Sequence, residues 1–207
     1  MYTPEEFKPK DSVDVRKFIR HNSFGILINV SNGSITGSHI PLELDVDAHA
    51  NDILFGHLSK ANPQSHQLKN NDDVLAIFNG PYAYVSSSWY EKENAPTWNY
   101  IAVHVYGKVK IIDDKTLMSC LRKLVDKHEK SSQNPISMND MSKQTLNQIR
   151  GIFGFYIEID HIEATYKLSQ NRNDTDFENI IFELNKTKEP QALRIAEHMR
   201  KIRYAIK

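Results

Sequence analysis

The stretch from Trp98 to Ile111 constrains the fold more than any other part of the chain. Its odd positions Ile101, Val103, Val105, Val109 and Ile111 are aliphatic. Its even positions Trp98, Tyr100, His104 and Tyr106 are aromatic or polar. A sustained period of two predicts one long β-strand with a core face and a second face that wants a ligand or a subunit.

Other strands follow the same logic. Phe24 to Val30 alternates, with Phe24, Ile26, Ile28 and Val30 on one face. Ser31-Asn32-Gly33-Ser34 reads as a hairpin turn, and Ile35 to Leu44 returns as a second strand. Pro41 within it predicts an edge or a bulge. Ile53 to Leu58 is a third strand. Val74 to Phe78 is a continuous apolar run, expected to be buried on both faces, with Gly80-Pro81 breaking or bending it. Phe155, Ile157 and Ile159 alternate, and then Ile162, Ala164, Tyr166 and Leu168 alternate in the opposite phase. That shift predicts a bulge at Asp160-His161. Helices are expected after Asp11-Ser12, after Asp113-Asp114, around Ser142 to Arg150, over Thr175 to Leu184, and from Pro190 to about Tyr204. The pattern predicts an α+β protein, an antiparallel β-barrel with peripheral helices. Residues 1–174 are expected to form the barrel domain, and 175–207 a helical segment packed on the same domain.

Lys plus Arg and Asp plus Glu each number 26, so the formal charge is zero and nothing global attracts nucleic acid. The single cysteine, Cys120, falls in an apolar helix pattern, which suits a buried thiol in a reducing compartment. No signal-peptide pattern and no membrane-length apolar run are visible, so a cytoplasmic location and no membrane partner are expected.

Ser59, Lys60 and Asn62 place a hydroxyl, a cation and an amide at the end of the third strand. This can seat a phosphate, or it can simply be a capped turn, since Asn62-Pro63 initiates turns. Ser38 and His39 on the second strand and His57 on the third are candidates for the same cleft. With His104 the imidazoles suggest a metal site, but no His-x-His spacing or cysteine pair accompanies them, and no metal is expected. Trp98, Tyr100 and His104 offer an aromatic face for a planar ring or for a subunit interface. Together the phosphate seat and the aromatic wall suggest a phosphorylated planar cofactor. Ser86-Ser87-Ser88 lacks a nucleophile elbow, and no P-loop or dinucleotide fingerprint is present. The last helix carries Arg194, Arg200, Lys201 and Arg203, which can approach DNA phosphates or face water.

A series of blocks carries a resemblance. They run Ser38-His39-Ile40-Pro41, Gly56-His57-Leu58-Ser59-Lys60-Ala61-Asn62-Pro63-Gln64, Gly80-Pro81 with Ala83-Tyr84-Val85-Ser86, Pro96-Thr97-Trp98-Asn99-Tyr100 and Val103-His104-Val105-Tyr106-Gly107. In this order the chain resembles the PaiB family of bacterial FMN-binding negative transcriptional regulators. The resemblance implies an FMN-binding split β-barrel, similar to the pyridoxamine phosphate oxidase group, working as a homodimer with promoter DNA as a further partner. That group has a similar Ser-Lys-x-x-Asn element, one residue longer than Ser59-Lys60-x-Asn62. The resemblance also implies that Lys167 and Ser169, in Lys167-Leu168-Ser169-Gln170-Asn171-Arg172, approach the flavin or the partner chain; otherwise they form a solvated strand end. The chain departs from the family at Ser65-His66, Tyr82 and Ser87. No catalytic residue is assigned. Two other readings stay open: a flavin-dependent oxidoreductase, and a dimeric barrel that no longer binds flavin.

Overall fold

A computed structural model describes residues 1–204. Its strands are β1 Phe24–Ser31, β2 Ser34–Val46, β3 Asp52–Ser59, β4 Asp73–Val85, β5 Thr97–Ile111 and β6 Ile152–Lys167. Its helices are α1 Ser12–His21, α2 Pro63–Gln67, α3 Asp114–Glu129, α4 Lys143–Asn147, α5 Asp174–Thr187 and α6 Pro190–Tyr204. The strands close into a barrel in the order β1-β2-β3-β6-β5-β4, as expected of an antiparallel barrel with peripheral helices. The chain divides into two compact units. One comprises Met1–Phe18, Phe78–His104 and Glu163–Lys207; the other comprises Ile19–Ile77 and Val105–Ile162.

In the second unit, β1 and β2 form a hairpin closed at Ser31↔Ser34. Asn32 and Gly33 both have positive φ, 50° and 77°, which a two-residue turn of this hand requires. The buried side of β1 is Gly25, Leu27 and Asn29. Phe24, Ile26, Ile28 and Val30 therefore lie on the outer face, where Phe24 and Val30 are exposed. β2 pairs with β1 over Ser34–Pro41 and with β3 over Leu42–Val46. Pro41 falls at this handover rather than at an edge. The Leu42 N–H donates to Ser23 on the β1 side, so the ring nitrogen of Pro41 faces the side where the β3 ladder has not begun. β5 and β6 approach closely at Gly107, where a Cβ would lie 2.2 Å from the Glu158 carbonyl oxygen. α3, capped by the Asp113 carboxylate on the Thr116 N–H, buries Leu117, Cys120 and Leu121 with Phe55 and Met138.

In the first unit, β5 buries Asn99, Ile101 and Val103. β4 runs unbroken through Gly80-Pro81, because the absence of a Cβ at Gly80 lets the strand pass against Phe18 and Ile101. Along β4, whose residues up to Ile77 belong to the second unit, Val74, Ala76 and Phe78 are buried while Leu75 and Ile77 are half-buried, so the apolar run is one-sided rather than buried on both faces. α5 and α6 pack together, burying Phe177, Ile180, Ile181 and Leu184 with Ala192, Ile195, Ala196 and Met199. Asn173 caps α5, and Lys188, with φ 57°, turns the chain out of it. β6 is one continuous strand. It buries Phe155 and Ile157 in its second-unit part and Thr165 and Tyr166 in its first-unit part.

Candidate functional site

The candidate residues fall into two groups, one in each unit. In the second unit the geometry starts from where β2 and β3 part. Their ladder runs from Leu42↔Gly56 to Val46↔Asp52, while β3 continues against β6 as far as Ser59↔Ile152. Past Ser59 the chain turns off and lays α2 beside β2. There the Asn62 amide donates to the Ser38 hydroxyl at 2.9 Å, and the Thr36 hydroxyl donates to Gln67 at 3.0 Å. Asn62 also caps α2, its Oδ1 accepting the Gln64 N–H at 3.0 Å. The capped turn and the polar cluster are thus the same structure.

Lys60 stands exposed at this turn. Its ammonium donates to the Arg150 carbonyl oxygen at 2.8 Å, and among the described residues it pairs with no carboxylate. Its charge is therefore not neutralised locally. Ser59 is exposed, its hydroxyl accepting the Ala61 N–H at 3.2 Å. A cation, hydroxyls and an amide at one strand end, with no neutralising acid, fit an anionic phosphate.

The strand's alternation separates Ser38 from His39, which lies on the outer face with its ring 6.4 Å from that of Phe24. His57 stacks on Phe55 at 5.9 Å, and its buried Nδ1 has no hydrogen-bond partner among the described residues. Burial holds the His57 imidazole below its ordinary value, so at neutral pH it is uncharged. The Cys120 thiol, also in this unit, lies 3.1 Å from the Tyr156 hydroxyl.

In the first unit Trp98 is 52% exposed, with Tyr84 at 5.6 Å and Tyr82 at 6.1 Å between ring centroids. This is an open aromatic platform. His104 is half-buried. Burial lowers its pKa, the N-terminal ammonium adds to the effect, and Glu163 opposes it. Lys167 donates to the Thr97 hydroxyl at 2.6 Å and lies 5.9 Å from the Phe7 ring centroid. Ser169 is turned inward, with φ 62° and 3% exposure. Its hydroxyl accepts from the Asn99 side-chain amide at 2.9 Å and donates back to the Asn99 Oδ1 at 3.1 Å. Both of its hydrogen-bonding roles are thereby used within the protein.

Two buried amides that matter here escaped the reading of the sequence. Asn99 interrupts the aliphatic parity of β5, and that single polar residue on a core face was a legible signal. Gln64 follows an Asn-Pro turn, where no periodicity marks it.

The basic residues of α6 are partly neutralised. Lys201 pairs with Glu197 at 2.5 Å, and Arg203 pairs with Asp174 and lies 4.5 Å from the Phe177 ring centroid. Among the described residues no group of three or more His, Cys, Asp or Glu is placed to hold a metal ion. No helix among them is long and apolar enough to cross a membrane.

Residues 1–161 match the family model described as "Putative FMN-binding domain". The chain is 40% identical to the protease synthase and sporulation protein PAI 2 of Bacillus subtilis (strain 168), over 96% of each chain. Among solved structures it is similar in fold to the FAD and heme binding protein from Mycobacterium smegmatis. That match has a TM-score of 0.62 and 14% identity, and covers 83% of this chain and 78% of the other. A second match, to the flavocytochrome Anf3 from Azotobacter vinelandii, has a TM-score of 0.57 and 14% identity, covering 83% and 75%.

Proposed function

Because the chain belongs to the FMN-binding domain family, with FMN as its cofactor, we propose that it is a homodimeric flavin-binding regulator of transcription. The observation that carries the flavin part of this reading is the cluster of Ser38, Ser59, Lys60 and Asn62. Lys60 supplies a charge that no neighbouring acid neutralises, and Ser38 and Asn62 are already aligned by their mutual hydrogen bond. These side chains bind the phosphate of FMN. When bound, the isoalloxazine ring supplies the redox chemistry.

Trp98, with Tyr82 and Tyr84, gives the first unit a surface suited to a planar ring or to a subunit contact. His57 and His104, held neutral, can donate or accept a hydrogen bond without placing charge beside a ring. The outer face of β1 and β2, with Phe24, Val30 and Ile35 exposed, is apolar enough to support a second copy of the chain. The buried, unpaired Cys120 is in keeping with work in the reducing cytoplasm.

The regulatory part draws its support from the relative named protease synthase and sporulation protein PAI 2. It is tested by mobility shift on promoter DNA at near-physiological salt, with FMN-loaded and flavin-stripped protein. A specific shift that depends on the flavin state is expected. Binding that disappears at that salt would be non-specific and would contradict regulation by direct contact. Bleaching of the bound flavin by a nicotinamide, with reoxidation in air, would favour the oxidoreductase reading instead.

A further inference from the structure

Gln64 has no exposed surface and touches no solvent. Its side-chain amide donates to the Leu27 carbonyl oxygen at 3.2 Å and to the Asn29 Oδ1 at 2.9 Å, both on β1. Its own main-chain N–H is the group that Asn62 caps. One residue therefore holds α2 to the inner side of β1 at one end and receives Asn62 at the other. α2 has five residues, too few to be stable alone, so its place depends on such anchors.

The amide pair is energetically costly. Asn29 is only 3% exposed, and its Nδ2 and the Gln64 Oε1 are buried with no hydrogen-bond partner among the described residues. Apolar residues of similar size would avoid that cost. What the pair provides is a directional, fixed attachment. We propose that Gln64 is a positioning residue for the phosphate seat: anchored on Leu27 and Asn29, it fixes the α2 cap so that Asn62 meets Ser38 and Lys60 stands at the mouth of the cluster. This rests on the reading that Ser38, Lys60 and Asn62 hold the FMN phosphate.

The test compares FMN with riboflavin, which lacks only the phosphate. The variants are Gln64→Met, which keeps length and loses the amide, and Gln64→Met with Asn29→Leu, which also removes the orphaned partner. Lys60→Ala is the control. The double variant is expected to melt close to the wild type. Its FMN affinity is expected to fall about tenfold while its riboflavin affinity stays within about twofold. If neither Gln64 variant folds, Asn29→Leu alone removes one of the anchors and is expected to lower FMN affinity about threefold, again without affecting riboflavin.

If Lys60→Ala lowers FMN selectively but the folded Gln64 variants do not, the positioning role is overturned and the phosphate seat stands. If the Gln64 variants weaken both flavins equally, Gln64 is only structural. If Lys60→Ala itself weakens both equally, the phosphate reading fails and the positioning role fails with it.

Discussion

Asn62 donates to the Ser38 hydroxyl at 2.9 Å, tying the turn after β3 to a part of β2 that lies beyond the β2–β3 ladder. The contact joins residues 24 positions apart and replaces ladder bonds with side-chain ones. Ser38→Ala removes it together with a hydroxyl that can face the phosphate. One neutral hydrogen bond is worth about 1 kcal/mol, so FMN affinity is expected to fall about fivefold with riboflavin unchanged. Titration of flavin fluorescence measures both.

The outer face of β1 and β2 carries Phe24 at 68%, Val30 at 63% and Ile35 at 77% exposure. Substituting Phe24→Glu together with Ile35→Lys changes only exposed side chains and should leave the fold intact. Sedimentation is expected to show a dimer for the wild type and a monomer for the variant. A variant that stays dimeric would place the subunit contact elsewhere.

Asn99 and Ser169 exchange two hydrogen bonds inside the first unit, and the Asn99 amide also lies 3.6 Å from the Met199 sulfur. Asn99→Ala leaves the Ser169 hydroxyl buried and unpaired. A loss of about 2–3 kcal/mol in urea unfolding is expected. Asn99→Ala combined with Ser169→Ala is expected to cost less than the sum of the two single variants, since both remove one interaction.

His57, His104 and His198 all have imidazoles lowered by burial from the ordinary 6.5. In the unfolded chain these groups take up protons near their ordinary value, while in the folded chain they resist. The unfolded state therefore binds more protons below about pH 6.5, and stability falls as pH drops through the window between that value and the folded pKa values. Above that window the three contribute no slope. The urea midpoint is expected to be lower at pH 5.5 than at pH 7.5, and His57→Gln is expected to reduce the difference.

Strand periodicity made much of this fold legible. Trp98 to Ile111 is β5 nearly to the residue, and the Asn32-Gly33 turn is set by its own backbone preference. Side choice was less legible. In β1 the alternation puts Ile26, Ile28 and Val30 on one face without saying which face is inside; Leu27 and Asn29 are the buried ones, because a face that can meet another surface is also apolar. Gly80-Pro81 suggested a break or a bend; the strand is unbroken, and the small residue there accommodates Phe18 from a distant segment, which no local pattern reveals.

The polar cluster was legible by residue type at Ser59, Lys60 and Asn62. Its partners Ser38 and Arg150, and the anchor Gln64, depend on which strands pair and where their ladders stop. For Ser169 the resemblance implies an approach to the flavin or the partner chain, with a solvated strand end as the alternative; its residue type gives no sign of the positive φ and the buried hydroxyl bonded to Asn99.

The most direct test of flavin binding is the visible absorbance of the purified protein after it is mixed with FMN and passed through gel filtration. The wild type is expected to retain flavin bands in proportion to its chains, and Lys60→Ala is expected to lose most of them. Wild-type protein that emerges colourless under all conditions would contradict the assignment of the Ser38–Lys60–Asn62 cluster as a phosphate seat.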